Sequence, residues 1–206
     1  MKRTNVWPLL LIGVFALSRW PGLMPPNFSA AYGLVFCAGL YLPGLWGWVI
    51  PLGVMLGSDC LISLFFYHGN DFSWTRFLAE QGPNYAAYAG LIGLGRVLGA
   101  RRRWWVLLGG GIAGAFIFYL VTNTASWLAL PYAKTVGGWI QALTTGMPGY
   151  PHTWEFFLKT LGSGGLFTGL FVGAMKMTAG EEAREQEGEK EAEEAEPEGE
   201  SAKAES

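Results

Sequence analysis

The chain has 206 residues, 51% of them hydrophobic and 15% charged, with a formal net charge of −2. That charge describes only one end: in residues 181–206, 12 Glu face Arg184, Lys190 and Lys203, a net of −9, while the other 11 Lys or Arg face four carboxylates, a net of +7. The body is mostly apolar stretches of membrane-spanning size, and its basic residues fall between them, which leaves nucleic-acid binding without support.

The first apolar stretch, about residues 6–17, follows Lys2 and Arg3. It is short for a span, since roughly 20 residues cross a bilayer. A cleaved signal peptide ending near Ala16-Leu17-Ser18 is the alternative. A Pro-rich connector from Arg19 to Asn27 leads to a second span, about Phe28 to Leu42, with Asn27 or Ser29 as its N-cap. Pro43-Gly44 predicts a tight turn into a third span, about Leu45 to Phe66, with Trp46 and Trp48 as interface anchors. Residues 67–84 read as a polar loop, and a fourth span follows, about Tyr85 to Leu98. The arginine-rich turn around Arg101, Arg102 and Arg103 precedes a fifth span, about Val106 to Leu128. Residues 129–155 contain an amphipathic piece near Gly138 to Thr145 that lies in the outer interface without crossing it. The sixth span is about Phe156 to Met175.

With six spans and the N-terminus inside, the basic residues at 2–3, 96–103 and 176 all face the cytoplasm. The expected fold is therefore an all-α polytopic membrane helix bundle over residues 1–178, with both termini cytoplasmic. A disordered acidic tail, residues 179–206, follows, because it has too little apolar surface to order itself. A bacterial inner membrane is the expected location. Small residues recur four apart at Gly53/Gly57, Gly95/Gly99, Gly110/Gly114 and Gly169/Gly173, a spacing that lets helix backbones approach closely inside the bundle or against a membrane partner.

Asp59 is the only acidic residue deep in a span. Such a carboxylate is expensive in lipid and faces the protein interior with a partner, as a ligand contact or as a structural group. Arg19 lies on the outer side, against the charge bias; Asp59 and Glu155 are its candidate partners, and snorkelling is the third option. Asn27, Asn123 and Lys134 complete the set of candidate ligand groups around an outward-facing pocket. His152, on a loop, and Cys37 and Cys60, in apolar stretches without zinc spacing, read as structural. No nucleophile motif, HExxH, phosphate loop or dinucleotide fingerprint occurs, so no enzyme, cofactor or metal is expected.

Arg19-Trp20-Pro21, Pro25-Pro26-Asn27-Phe28-Ser29, Ser58-Asp59, Thr122-Asn123-x-x-x-Trp127 and Tyr132-Ala133-Lys134-Thr135 occur in order. In these motifs the chain resembles an uncharacterised family of small bacterial integral membrane proteins over about residues 5–175, with Ala133 where that family carries proline. More distantly it resembles the substrate-binding S components of energy-coupling-factor transporters. That likeness implies a six-helix bundle capturing a small solute near its outer face and an energy-coupling membrane unit as partner. The chain departs from those proteins at its first span, where Gly13 and Leu17 stand in place of their Ala-x-x-x-Ala docking pattern. A substrate-binding transport component is the first expectation. A non-catalytic scaffold packing through its glycine faces is the second.

Overall fold

The structure is a computed structural model that describes residues 14–68, 71–99 and 103–195, and among these all regular structure is helical. Helix α1 is seen over residues 14–19. It is followed by α2 (Ala31–Tyr41), α3 (Trp46–Ile62) with a π-helical extension over Ser63–His68, α4 (Trp74–Leu98), α5 (Trp104–Ala129), α6 (Val136–Leu143) and α7 (Thr153–Ala195).

Helix α2 is the centre of the bundle and packs against α3, α4, α5 and α7. Its Ala31, Tyr32, Gly33, Val35, Phe36 and Cys37 are buried, and Phe36 meets Met55 of α3, Leu91 and Ile92 of α4 and Phe167 of α7 in one core. Glycine makes this packing possible. A methyl group on Gly39 would land on the Ile92 carbonyl, and one on Gly95 would land on the Phe36 carbonyl, 3.2 Å from the Gly39 Cα, so α2 and α4 cross backbone to backbone. Between α5 and α7, a Cβ on Gly164 would come within 2.5 Å of the Ala115 methyl.

Of the four predicted glycine pairs, Gly110/Gly114 and Gly95/Gly99 pack internally, whereas Gly53 and Gly57 open onto free space and Gly169/Gly173 have at most one ordinary contact. Helix α3 explains the first of these. It buries a single stripe, Gly47, Pro51, Met55 and Asp59, which Ser63 continues. Residues four apart lie on one helix face; Gly47 belongs to that stripe, whereas Gly53 and Gly57 fall on the other side. Val49, Ile50, Val54 and Leu61 on that side are 42–56% exposed.

Among the described residues, three helical segments are long and apolar enough to cross a membrane: Trp46–Tyr67, Trp104–Ala129 and Thr153–Gly180. Six were expected. Most of the first lies outside the described residues. The second is only 11 residues long, short of the roughly 20 that a bilayer requires, and is enclosed by its neighbours. The fourth is a 25-residue helix that begins at Trp74, so the supposed loop over 74–84 is helical, with Pro83 inside it. That half carries Arg76, Glu80, Gln81 and Asn84, and an Arg76–Glu80 bridge at i,i+4 supports it on the exposed side.

The predicted amphipathic piece does form a helix, the short α6. The acidic tail departs from expectation: α7 continues through Ala195 with no break at 178, and its Glu- and Ala-rich composition accounts for this by intrinsic helix propensity. Residues 196–206 lie outside the described residues. Both cysteines are free thiols, Cys37 buried as expected and Cys60 only partly so.

Candidate functional site

Three basic residues, Arg96, Arg103 and Lys176, gather at one end of the bundle. Arg96, in the last turn of α4, donates to the Gly44 carbonyl in the α2–α3 turn and lies over the Trp48 ring at 5.4 Å. Gly44 has φ +54, which suits glycine and closes the Pro43-Gly44 turn as predicted. Arg103 precedes α5, and Lys176 shares a cavity with Trp104 at the start of that helix.

Asp59 sits on the buried stripe of α3, 13 residues beyond Trp46, which at 1.5 Å per residue is about 20 Å from that basic end. It is 8% exposed. The Arg19 guanidinium, arriving from the end of α1, forms an ion pair with Asp59 Oδ1. Tyr85 of α4 donates its hydroxyl to Oδ2 at 2.9 Å. Both carboxylate oxygens are thus engaged by separate helices, which is what an intramembrane charge requires. Arg19 selects Asp59 and not Glu155. Its Nε is buried with no hydrogen-bond partner, so the cluster keeps one unmet donor.

Aromatic rings enclose the network. Tyr85 meets Tyr88 edge-on at 5.8 Å, Tyr88 stacks on Phe118 at 5.2 Å, and Tyr32 closes on Phe118 at 4.8 Å. Trp20, next to Arg19, packs edge-on against Phe66 at 5.9 Å. The connector is held by Ser18, whose hydroxyl accepts from the Ala30 amide at 3.0 Å, and by Ser29, one of the two predicted caps, which accepts from the Ala31 amide at 3.2 Å although the N-cap position of α2 is Ala30 and no side chain caps the helix. The other, Asn27, is instead a left-handed turn residue at φ +62.

The remaining candidates stand apart. Asn27 is exposed, and its carbonyl accepts from the Tyr32 hydroxyl at 3.4 Å. Asn123 bonds the Tyr119 carbonyl of its own helix at 2.9 Å. Lys134 caps the end of α5, donating to the carbonyls of Trp127, of Leu128 at 3.0 Å and of Leu130 at 2.8 Å; a cation there also complements the helix dipole. His152 faces the Thr145 carbonyl at 3.2 Å and stacks on Trp154. The sequence reading missed Tyr85 and Tyr32. A signal existed: Tyr85 and Tyr88, three apart, share a face of one helix.

Helix α6 is fastened over the same end as the connector. Tyr119 donates to the Leu143 carbonyl and lies 3.3 Å from the Thr153 carbonyl, and Trp139 Nε1 donates to Thr124 at 2.9 Å. Tyr119→Phe strips a donor from two carbonyls. It is expected to lower stability by about 1–2 kcal/mol and to raise hydrogen exchange across residues 136–143. Unchanged exchange would mean that Trp139 alone holds α6.

A family model matches residues 1–187, and its description is a family of unknown function (DUF6580). The chain belongs to that family. The match extends past the 5–175 stretch of the sequence resemblance and takes in every residue of the Arg19–Asp59–Tyr85 network. No curated protein and no solved structure matches the chain.

Proposed function

We propose that the chain is a non-catalytic membrane component that holds a small solute at the Arg19–Asp59–Tyr85 network. The observation that carries this reading is the buried, unpartnered Nε of Arg19 beside a fully engaged carboxylate. A buried donor left unmet costs free energy that an acceptor oxygen on a solute would offset, and the surrounding tyrosines offer ring faces. By the positive-inside bias the basic end faces the cytoplasm and this network faces outward, as capture from the outer side of a plasma membrane requires. The resemblance to S components supplies a second element of the proposal: an energy-coupling membrane partner.

The test is purification of the full chain in mild detergent, with mass spectrometry of co-purifying small molecules and polypeptides. A stoichiometric metabolite is expected in the wild type and is lost from Tyr85→Phe while the variant keeps its size-exclusion profile. A wild type that carries no metabolite, and takes none up from a metabolite mixture, overturns the reading.

One observation favours a second reading, a scaffold: Gly53 and Gly57 lie open on the exposed side of α3, where a second helix has room to approach closely. A co-purifying membrane polypeptide without any metabolite would favour it.

A further inference from the structure

A cavity of about 250 Å³ lies between α5 and α7 at the basic end, well away from the Asp59 network, and is open to the side. Trp104 and Lys176 line it at the basic end, Leu108 and Gly169 line it farther along the two helices, and Thr168 forms part of its wall. Its wall is almost entirely apolar, with the one cation at the basic end. No neighbouring side chain fills it: a Cβ on Gly173 would meet nothing within 4 Å, and one on Gly169 only Leu108, at an ordinary 3.7 Å. The Thr168 hydroxyl is fully buried against Gly111 of α5, away from the open space, and has no hydrogen-bond partner.

We infer that this groove is a binding site for a diacyl phospholipid with an anionic headgroup. Going from Lys176 to Gly169, and from Trp104 to Leu108, both walls run from a charged and aromatic end toward the apolar middle of a spanning helix. That is the order in which a phospholipid presents phosphate and then acyl chain. Tryptophan belongs at headgroup depth, and basic pockets between membrane helices on the positive side hold anionic headgroups. Exposed Arg103, stacked on Trp105 at 5.5 Å, adds positive charge at the start of the same α5. The absence of side chains at Gly169 and Gly173 gives one acyl chain a channel along α7. These two glycines thus have a use that the packing of the bundle does not supply.

The test is native mass spectrometry of the full chain in detergent, titrated with phosphatidylglycerol and with phosphatidylcholine of the same acyl chains. The wild type is expected to bind one phosphatidylglycerol with a preference of about fivefold or more, the effect of one lysine near a headgroup. Lys176→Gln lowers the preference and leaves phosphatidylcholine binding unchanged. Gly173→Leu, which has room to fold normally, lowers binding of both lipids. Equal binding of the two lipids by the wild type, an undiminished preference in Lys176→Gln, or unchanged binding in a folded Gly173→Leu each overturns the proposal. Free glycerol phosphate serves as a competitor: if it displaces the lipid at equal concentration, the groove is a phosphate site and not a lipid site.

Discussion

Asp59→Asn is expected to destabilise the protein by about 3 kcal/mol or more, because it leaves the Arg19 guanidinium with no counter-charge in a largely buried site. The side chain of Arg19 is 19% exposed and that of Asp59 is 9% exposed, so water relieves little of this cost. The double replacement Arg19→Met with Asp59→Leu removes both charges together and keeps apolar volume, and exchanges of that kind are often neutral or stabilising. The expected result is therefore a double variant that withstands heating in detergent better than Asp59→Asn alone. The measurement is the monodisperse fraction left after a temperature series, run as a double-mutant cycle. If the costs of the single replacements simply add, the two groups are not coupled and the ion pair is not what holds α1 to α3. The double variant also separates structure from function. If it folds and still retains a solute, the network is architectural and the capture proposal is wrong in its location.

This pairing was half legible in the sequence. Asp59 drew attention as the one carboxylate deep in an apolar stretch, and Arg19 as a lone cation against the charge bias, so each was singled out and each appeared among the candidates for the other. Choosing between Asp59 and Glu155 needed the buried stripe of α3, a product of helix phase that composition does not reveal. Lys134 and Asn123 carried the right chemistry, but their nearest acceptors were the carbonyls of α5, and polar side chains near a helix end readily satisfy the backbone. The fold was legible where apolar runs were long, as in α3, α5 and the first part of α7. It was hidden in α2, whose burial depends on neighbours, and in α4, whose polar first half and Pro83 imitate a loop. The glycine spacings were visible without their directions: the same four-residue interval occurs at the α2–α4 crossing and on the open side of α3.

That ambiguity has a direct experimental resolution. Gly39→Leu and Gly95→Leu are expected to cost at least about 3 kcal/mol each, at the upper end of overpacking penalties, because the new side chain meets a backbone carbonyl on the facing helix and not the flexible tip of a side chain. Gly53→Leu and Gly57→Leu meet nothing within 4 Å. Since glycine inside a helix is worse than alanine by about 0.5–1 kcal/mol, these variants should be as stable as the wild type or slightly more so. Thermal stability in detergent reads both pairs in one experiment, and a tolerated Gly95→Leu would mean that α2 and α4 do not cross as closely as the structure has them. The second pair also bears on function. A helix face that costs nothing to fill in the isolated chain, yet loses a co-purifying membrane polypeptide when filled, is a docking face. If Gly53→Leu keeps every partner that the wild type brings down, the open glycines of α3 face lipid, and the scaffold reading loses the observation it rests on.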